Sequence, residues 1–236
     1  MSTLLKAMLC YLNRRNEFVQ NGRHLINEWN EVQFCSPFEN AVLISGKGSR
    51  RFADVRERFH NSTFFAIIRD PIERVLSGFV DKCIRKPYGP VPCNGCHYNL
   101  TCFLETELAR TRFQVHHNNF RRTYEDLHFL PQNWYCYFGE HWPLYRIVQY
   151  SSEPEKLGQV LEQLFGVFRG AGVGAQEIDF IEQQMKEGRT LHSTVQSPMR
   201  RFLRDRITNS SYLLELIVRI YYHDFRLFGF PLPKLD

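Results

Sequence analysis

Phe64-Phe65-Ala66-Ile67-Ile68-Arg69-Asp70-Pro71-Ile72-Glu73-Arg74-Val75-Leu76-Ser77-Gly78-Phe79 is the stretch from which the fold is read. Phe64 to Ile68 is a short apolar run between polar residues, the pattern of a buried strand. Arg69-Asp70-Pro71 interrupts it, and Pro71 suits the first position of a new helix. Ile72, Val75, Leu76, Phe79 and Val80 then recur at helical spacing. Arg69 therefore stands where a strand ends, and Ser77 lies on the helix that follows, off its apolar stripe. Such a pair can converge on one phosphate, because arginine offers a fork of donors and the hydroxyl adds another. The plainer alternative is an arginine paired with Asp70 or Glu73.

Arg69-Asp70-Pro71, Arg74, Ser77 and Phe79 together resemble the 3′-phosphate-binding motif of sulfotransferases that use 3′-phosphoadenosine 5′-phosphosulfate (PAPS). The resemblance is to the Golgi carbohydrate sulfotransferases, in particular their nematode chondroitin-sulfotransferase-like members. Asp81-Lys82-Cys83-Ile84, Cys93-Asn94-Gly95-Cys96, the segment His128 to Trp134 and the ending Ile220 to Phe225 fit that family too, so the resemblance covers nearly the whole chain. It implies an α/β, P-loop-like sulfotransferase fold, a parallel sheet flanked by helices, in one domain over residues 1–236. It implies PAPS as co-substrate, no metal, and a glycosaminoglycan or other carbohydrate as acceptor. Arg69, Ser77 and Arg74 would then serve the 3′-phosphate.

The start of the chain is read the same way. Leu4, Leu5, Met8, Leu9 and Leu12 have helical spacing, and Ser2 and Thr3 precede them where N-caps belong. In the family, a loop with a lysine and a Ser-Thr pair opens a helix whose N-terminus receives the 5′-phosphosulfate. Met1-Ser2-Thr3-Leu4-Leu5-Lys6 resembles the end of that loop, which assigns Ser2 and Thr3 to the 5′-phosphosulfate. Lys6 lies too far inside the helix to replace the loop lysine. The expectation is a truncated family member whose first strand, lysine and N-terminal membrane anchor lie before Met1. No apolar run here reaches the roughly 18–20 residues of a membrane span. The family implies the Golgi lumen, in a type II membrane arrangement.

Sulfuryl transfer to a hydroxyl needs a general base and positive charge on the transferring group. His128, within a His-x-x-Pro-Gln segment like that of the family, is the first candidate. Glu125 and Asp126 could orient it or act in its place, and His116 and His117 come next. The Ser/Thr loop at 192–197 leads to Arg200, Arg201 and Arg204, which could close over a 3′-phosphate or form a solvated basic face.

Seven cysteines and sequons at Asn61, Asn99 and Asn209 fit an oxidising lumen. Asn99, after a Cys/Pro/Gly loop, is the best acceptor for a glycan. A lone C-x-x-C at Cys93 and Cys96 is a weak zinc signal. Disulfides drawn from Cys83, Cys93, Cys96, Cys102 and Cys136 are expected instead, with Cys10 buried and unpaired on the first helix.

Outward from the opening stretch, a strand is expected at Ala41 to Ile44 and a helix at Arg50 to Phe59. A helix is expected over Leu100 to Phe113, a strand over Arg146 to Tyr150, helices near 154–168 and 175–187, a basic helix, and a last helix at Tyr212 to Tyr222. Strands separated by helices argue for a parallel sheet with crossover connections. A hydrophobic share of 43% excludes a disordered chain, and a net charge of +5 suits anionic ligands. A nucleotide kinase would need G-x-x-x-x-G-K-[ST], and Ser45-Gly46-Lys47-Gly48-Ser49 is too short for it. Scattered basic residues without a motif argue against nucleic acid. The remaining rival is a lumenal relative that binds nucleotide or glycan without turnover.

Overall fold

The computed structural model describes residues 2–28, 34–35, 56–57, 59–117, 123–136, 138–188 and 193–235. In chain order the elements are α1 (Ser2–Asn13), α2 (Arg15–Gln20), β1 (Phe65–Arg69), α3 (Pro71–Phe79), α4 (Leu100–His117), the single turn α5 (Asp126–Phe129), β2 (Arg146–Tyr150), α6 (Leu157–Gly170), α7 (Ala175–Glu187), α8 (Pro198–Thr208) and α9 (Ser211–Phe228). Among the described residues the sheet has two strands, β1 beside β2, in parallel, as expected of an α/β chain. The strand expected at Ala41 to Ile44, most of the helix expected at Arg50 to Phe59, and His192 lie outside the described residues. The final helix is a turn and a half longer than its apolar pattern, running to Phe228, where Gly229 ends it in the left-handed conformation at φ 71°.

Two compact units divide the chain. The first holds residues 1–67 and 141–193, the second 68–140 and 194–236. In the first unit, α1 and α2 pack with α6, α7 and β2 around Met8, Phe18, Leu25, Val148, Leu164 and Ile181. The Leu25 N–H donates to the Gln184 Oε1 at 3.1 Å, tying a turn after α2 to α7.

The second unit is built on α3, α4, α8 and α9. Their apolar stripes meet at Leu76, Phe79, Phe103, Leu104, Ile217 and Phe225, all fully buried. Pro71 opens α3 as its sequence predicts, and the Asp70 carboxylate caps it by accepting the Glu73 N–H at 2.9 Å. After Phe79 the helix widens into a π turn, Val80–Arg85, where the Lys86 N–H reaches the Asp81 carbonyl at 2.9 Å. Gly78 allows α5 to sit close: a Cβ there would lie 2.8 Å from the Phe129 ring. The Phe129 carbonyl, so placed, accepts the Tyr221 hydroxyl at 2.6 Å and the Arg74 guanidinium at 3.4 Å.

Three disulfides close local loops: Cys10–Cys35, Cys83–Cys93 and Cys96–Cys102. The first corrects the expectation of an unpaired Cys10. Its apolar register on α1 is real, but Cys35 returns to it with a Cα–Cα distance of 5.7 Å, a meeting 25 residues apart that no local pattern encodes. Cys136, counted among the paired cysteines, is exposed and outside all three bridges. Cys93, Cys96 and Cys102 are consumed by disulfides, which removes the zinc alternative. Peptide mapping without reduction should recover these three linked pairs, and a bridge containing Cys136 would contradict this arrangement.

Candidate nucleotide and acceptor site

β1 delivers Arg69 to the foot of α3. Its backbone is held there by a side chain that imitates a neighbouring strand. The Arg69 N–H donates to the Gln132 Oε1 at 2.9 Å, and the Gln132 Nε2 donates to the Arg69 carbonyl at 2.8 Å. Gln132 is fixed in turn by Asp224 of α9, whose buried carboxylate accepts the N–H groups of Gln132 and Asn133 at 2.7 and 2.8 Å. Burial pushes the Asp224 carboxyl up, against these two donors, which favour its charged form.

The Arg69 guanidinium lies 3.4 Å from the Glu73 carboxylate, one turn along α3. Two more arginines reach the same carboxylate from α8: Arg200, 3% exposed, and Arg204 at 2.5 Å. Arg200 also donates to the Thr194 hydroxyl at 3.1 Å, and that hydroxyl lies 3.1 Å from the Ser77 Oγ. Arg69, Ser77, Thr194 and Arg200 are thus gathered around Glu73, with three guanidinium groups and two hydroxyls against one carboxylate. An arginine cluster of this kind suits a phosphate group, because the forked donors match its oxygens. The ion pair with Glu73, the plain alternative for Arg69, is present as part of this cluster.

Not all the expected residues join it. Arg74 is directed to the Phe129 carbonyl, and Arg201 is exposed on the outer side of α8. Thr3 lies in the first turn of α1, in the other unit, as does the backbone of Ser2.

His128 is half-buried on α5. Its Nδ1 lies 2.8 Å from the Tyr124 carbonyl and its ring 4.7 Å from the Tyr124 ring. A carbonyl can only accept, so Nδ1 carries the proton and Nε2 keeps its lone pair. Burial lowers the His128 pKa, and the charges of Lys82 and Arg74 add to that, outweighing the Tyr124 hydrogen bond. Lys82, 2.9 Å from Asp81, lies over the Tyr124 ring at 5.9 Å. Burial acts to lower its pKa, but the Asp81 carboxylate more than reverses this.

The two carboxylates beside His128 have other work. Glu125 accepts the Cys93 N–H at 3.1 Å. Asp126 is fully buried and accepts from Arg110 at 2.7 Å, from the Thr123 N–H at 2.8 Å and from Gln114 at 3.2 Å. Through Arg110 and Gln114 these contacts tie α5 to α4. His117 stacks on Phe113 at the exposed end of α4.

Residues 1–231 match the family model described as "Sulfotransferase family". The chain belongs to the sulfotransferase family. This family member is 36% identical over 241 residues to an uncharacterized protein of Caenorhabditis elegans, covering 99% of this chain and 65% of that one. It is 32% identical over 236 residues to the C. elegans carbohydrate sulfotransferase chst-1, covering 98% of this chain and 70% of the relative. The chain thus spans about two thirds of the length of these relatives. No solved structure matches it significantly.

Glu107 carries no signal in the sequence, because it sits in a long helix of mixed polarity. It is fully buried, accepts from Asn94 at 3.0 Å, and is pushed up to about 7 by burial, against the Asn94 hydrogen bond. The folded state thus holds a proton that the unfolded chain has released above pH 4.5. Stability from this group is full below about pH 4.5 and is lost as pH rises toward 7. The loss should be about 3 kcal/mol. Denaturation of wild type and Glu107→Gln at pH 5 and pH 8 measures it: the wild type should weaken at pH 8, and the amide variant should lose that dependence.

Proposed function

We propose that this chain binds PAPS and transfers its sulfuryl group to a carbohydrate hydroxyl, with chondroitin-type galactosamine as the acceptor and the Golgi lumen as the compartment. One observation carries the reading: Arg69, Arg200, Ser77 and Thr194 gathered around Glu73 at a strand-to-helix turn. Membership of the sulfotransferase family supports the reaction type, and the relative named as a carbohydrate sulfotransferase supports the acceptor class. Arg69 and Ser77 would hold the 3′-phosphate with Arg200 closing over it. Ser2 and Thr3 would serve the 5′-phosphosulfate from the start of α1.

His128 is the proposed base. Its Nε2 would take the proton as the acceptor oxygen bonds to sulfur and the bond from sulfur to the nucleotide's bridging oxygen breaks. A neutral imidazole is required, and the lowered pKa of His128 provides it at neutral pH. Lys82, kept charged by Asp81, places a cation in the same neighbourhood.

Two measurements test this reading. Calorimetry should show 3′-phosphoadenosine 5′-phosphate binding about 10- to 100-fold more tightly than adenosine 5′-phosphate, the worth of a charge-assisted contact of about 1.5–3 kcal/mol. Arg69→Ala should abolish the difference, and equal affinity of the wild type for both nucleotides would end the assignment. His128→Ala should lower turnover about 10²- to 10⁴-fold with nucleotide affinity and melting temperature unchanged. In the wild type the acid limb of the rate profile should lie below the ordinary histidine value of about 6.5. A variant that loses nucleotide binding and stability together would make His128 a packing residue.

A further inference from the structure

The turn that holds Arg69 through Gln132 also forms a wall of a cavity on its own account. Pro131, Asn133 and Trp134 line it from the turn, α4 contributes Arg112 and His116, and α9 contributes Arg219 and His223. Its volume is about 510 Å³, room for a sugar residue or two. Two features define what it would take. Its lining carries an indole and the apolar side chains of Leu108, Val115 and Ile220, which suit the C–H face of a pyranose ring. Its charged lining is cationic: two arginines and no carboxylate, with Glu215, outside the lining, 2.5 Å from Arg219.

We infer that this cavity is a subsite for an anionic sugar residue of the acceptor chain, its ring against Trp134 and its charge at Arg112 and Arg219. This rests on the reading of the chain as a carbohydrate sulfotransferase, but it concerns residues distinct from those assigned to the nucleotide. The anionic group could be a carboxylate or a sulfate ester, and both satisfy the same guanidinium pair.

The test is direct binding of oligosaccharides to the full chain with no donor present. The probes are an unsulfated chondroitin hexasaccharide, its carboxyl-reduced form, and a carboxyl-reduced form carrying sulfate esters. The uronate probe, the sulfated probe or both should bind about 10- to 100-fold more tightly than the uncharged one, and which does so names the charge recognised. Arg112→Gln with Arg219→Gln, both solvent-exposed and so tolerant of change, should remove that preference and leave the affinity for 3′-phosphoadenosine 5′-phosphate unchanged. Trp134→Ala should weaken every probe. Equal binding of charged and uncharged probes, or full preference in the double variant, would overturn the inference. A loss of nucleotide affinity in the double variant would overturn it as well, by assigning the cavity to the nucleotide. If the glycan binds as stated while the wild type fails to bind nucleotide, the donor reading falls and this subsite stands.

Discussion

The Glu73 carboxylate is the point on which the second unit's charged architecture turns. It accepts Arg69 from the strand end and Arg200 and Arg204 from α8. Arg200 is almost wholly buried, and a buried guanidinium without a counter-charge costs several kcal/mol. One carboxylate among three arginines satisfies that burial and still leaves the cluster net cationic. It also holds the three guanidinium groups together at the foot of α3. The two hydroxyls, Ser77 and Thr194, extend the same polar cluster.

A second constraint runs through the 123–134 segment. It contains little regular structure, yet several of its polar groups are tied to helices. Asp126 is held by Arg110 and Gln114 of α4, the Phe129 carbonyl by Tyr221 and Arg74, and the Gln132 and Asn133 N–H groups by Asp224. Such a network makes an irregular stretch rigid, because each lost bond would leave a buried polar group unpaired. The same stretch presents His128 on one part, grips Arg69 by Gln132 and lines the cavity with Asn133 and Trp134. The proposed base, the proposed nucleotide contact and the proposed glycan subsite therefore share one support.

What could be read from the sequence was what the chain encodes locally. The strand, turn and helix from Phe64 to Phe79 are legible because apolar spacing, Pro71 and the Asp70 cap all act within a few residues. The pairing of Arg69 with Glu73 is local too and could be anticipated. Gln132 acting as a strand neighbour, Asp224 holding its backbone, and the union of Cys10 with Cys35 depend on residues brought together by the fold, and no local period announces them. Asp126 shows the same limit from another side. It reads as a carboxylate beside a candidate histidine, while its burial and its bonds to Arg110, Gln114 and Thr123 come from the fold. Glu107 was missed for a related reason: a single acidic residue in a mixed-polarity helix carries no sign of being buried.

The most direct test of the account is a crystal structure of the chain with 3′-phosphoadenosine 5′-phosphate. The account predicts the 3′-phosphate among Arg69, Ser77 and Arg200, with at least one of the three arginines turned from Glu73 to a phosphate oxygen. A nucleotide seated elsewhere, with all three arginines still on Glu73, would contradict it.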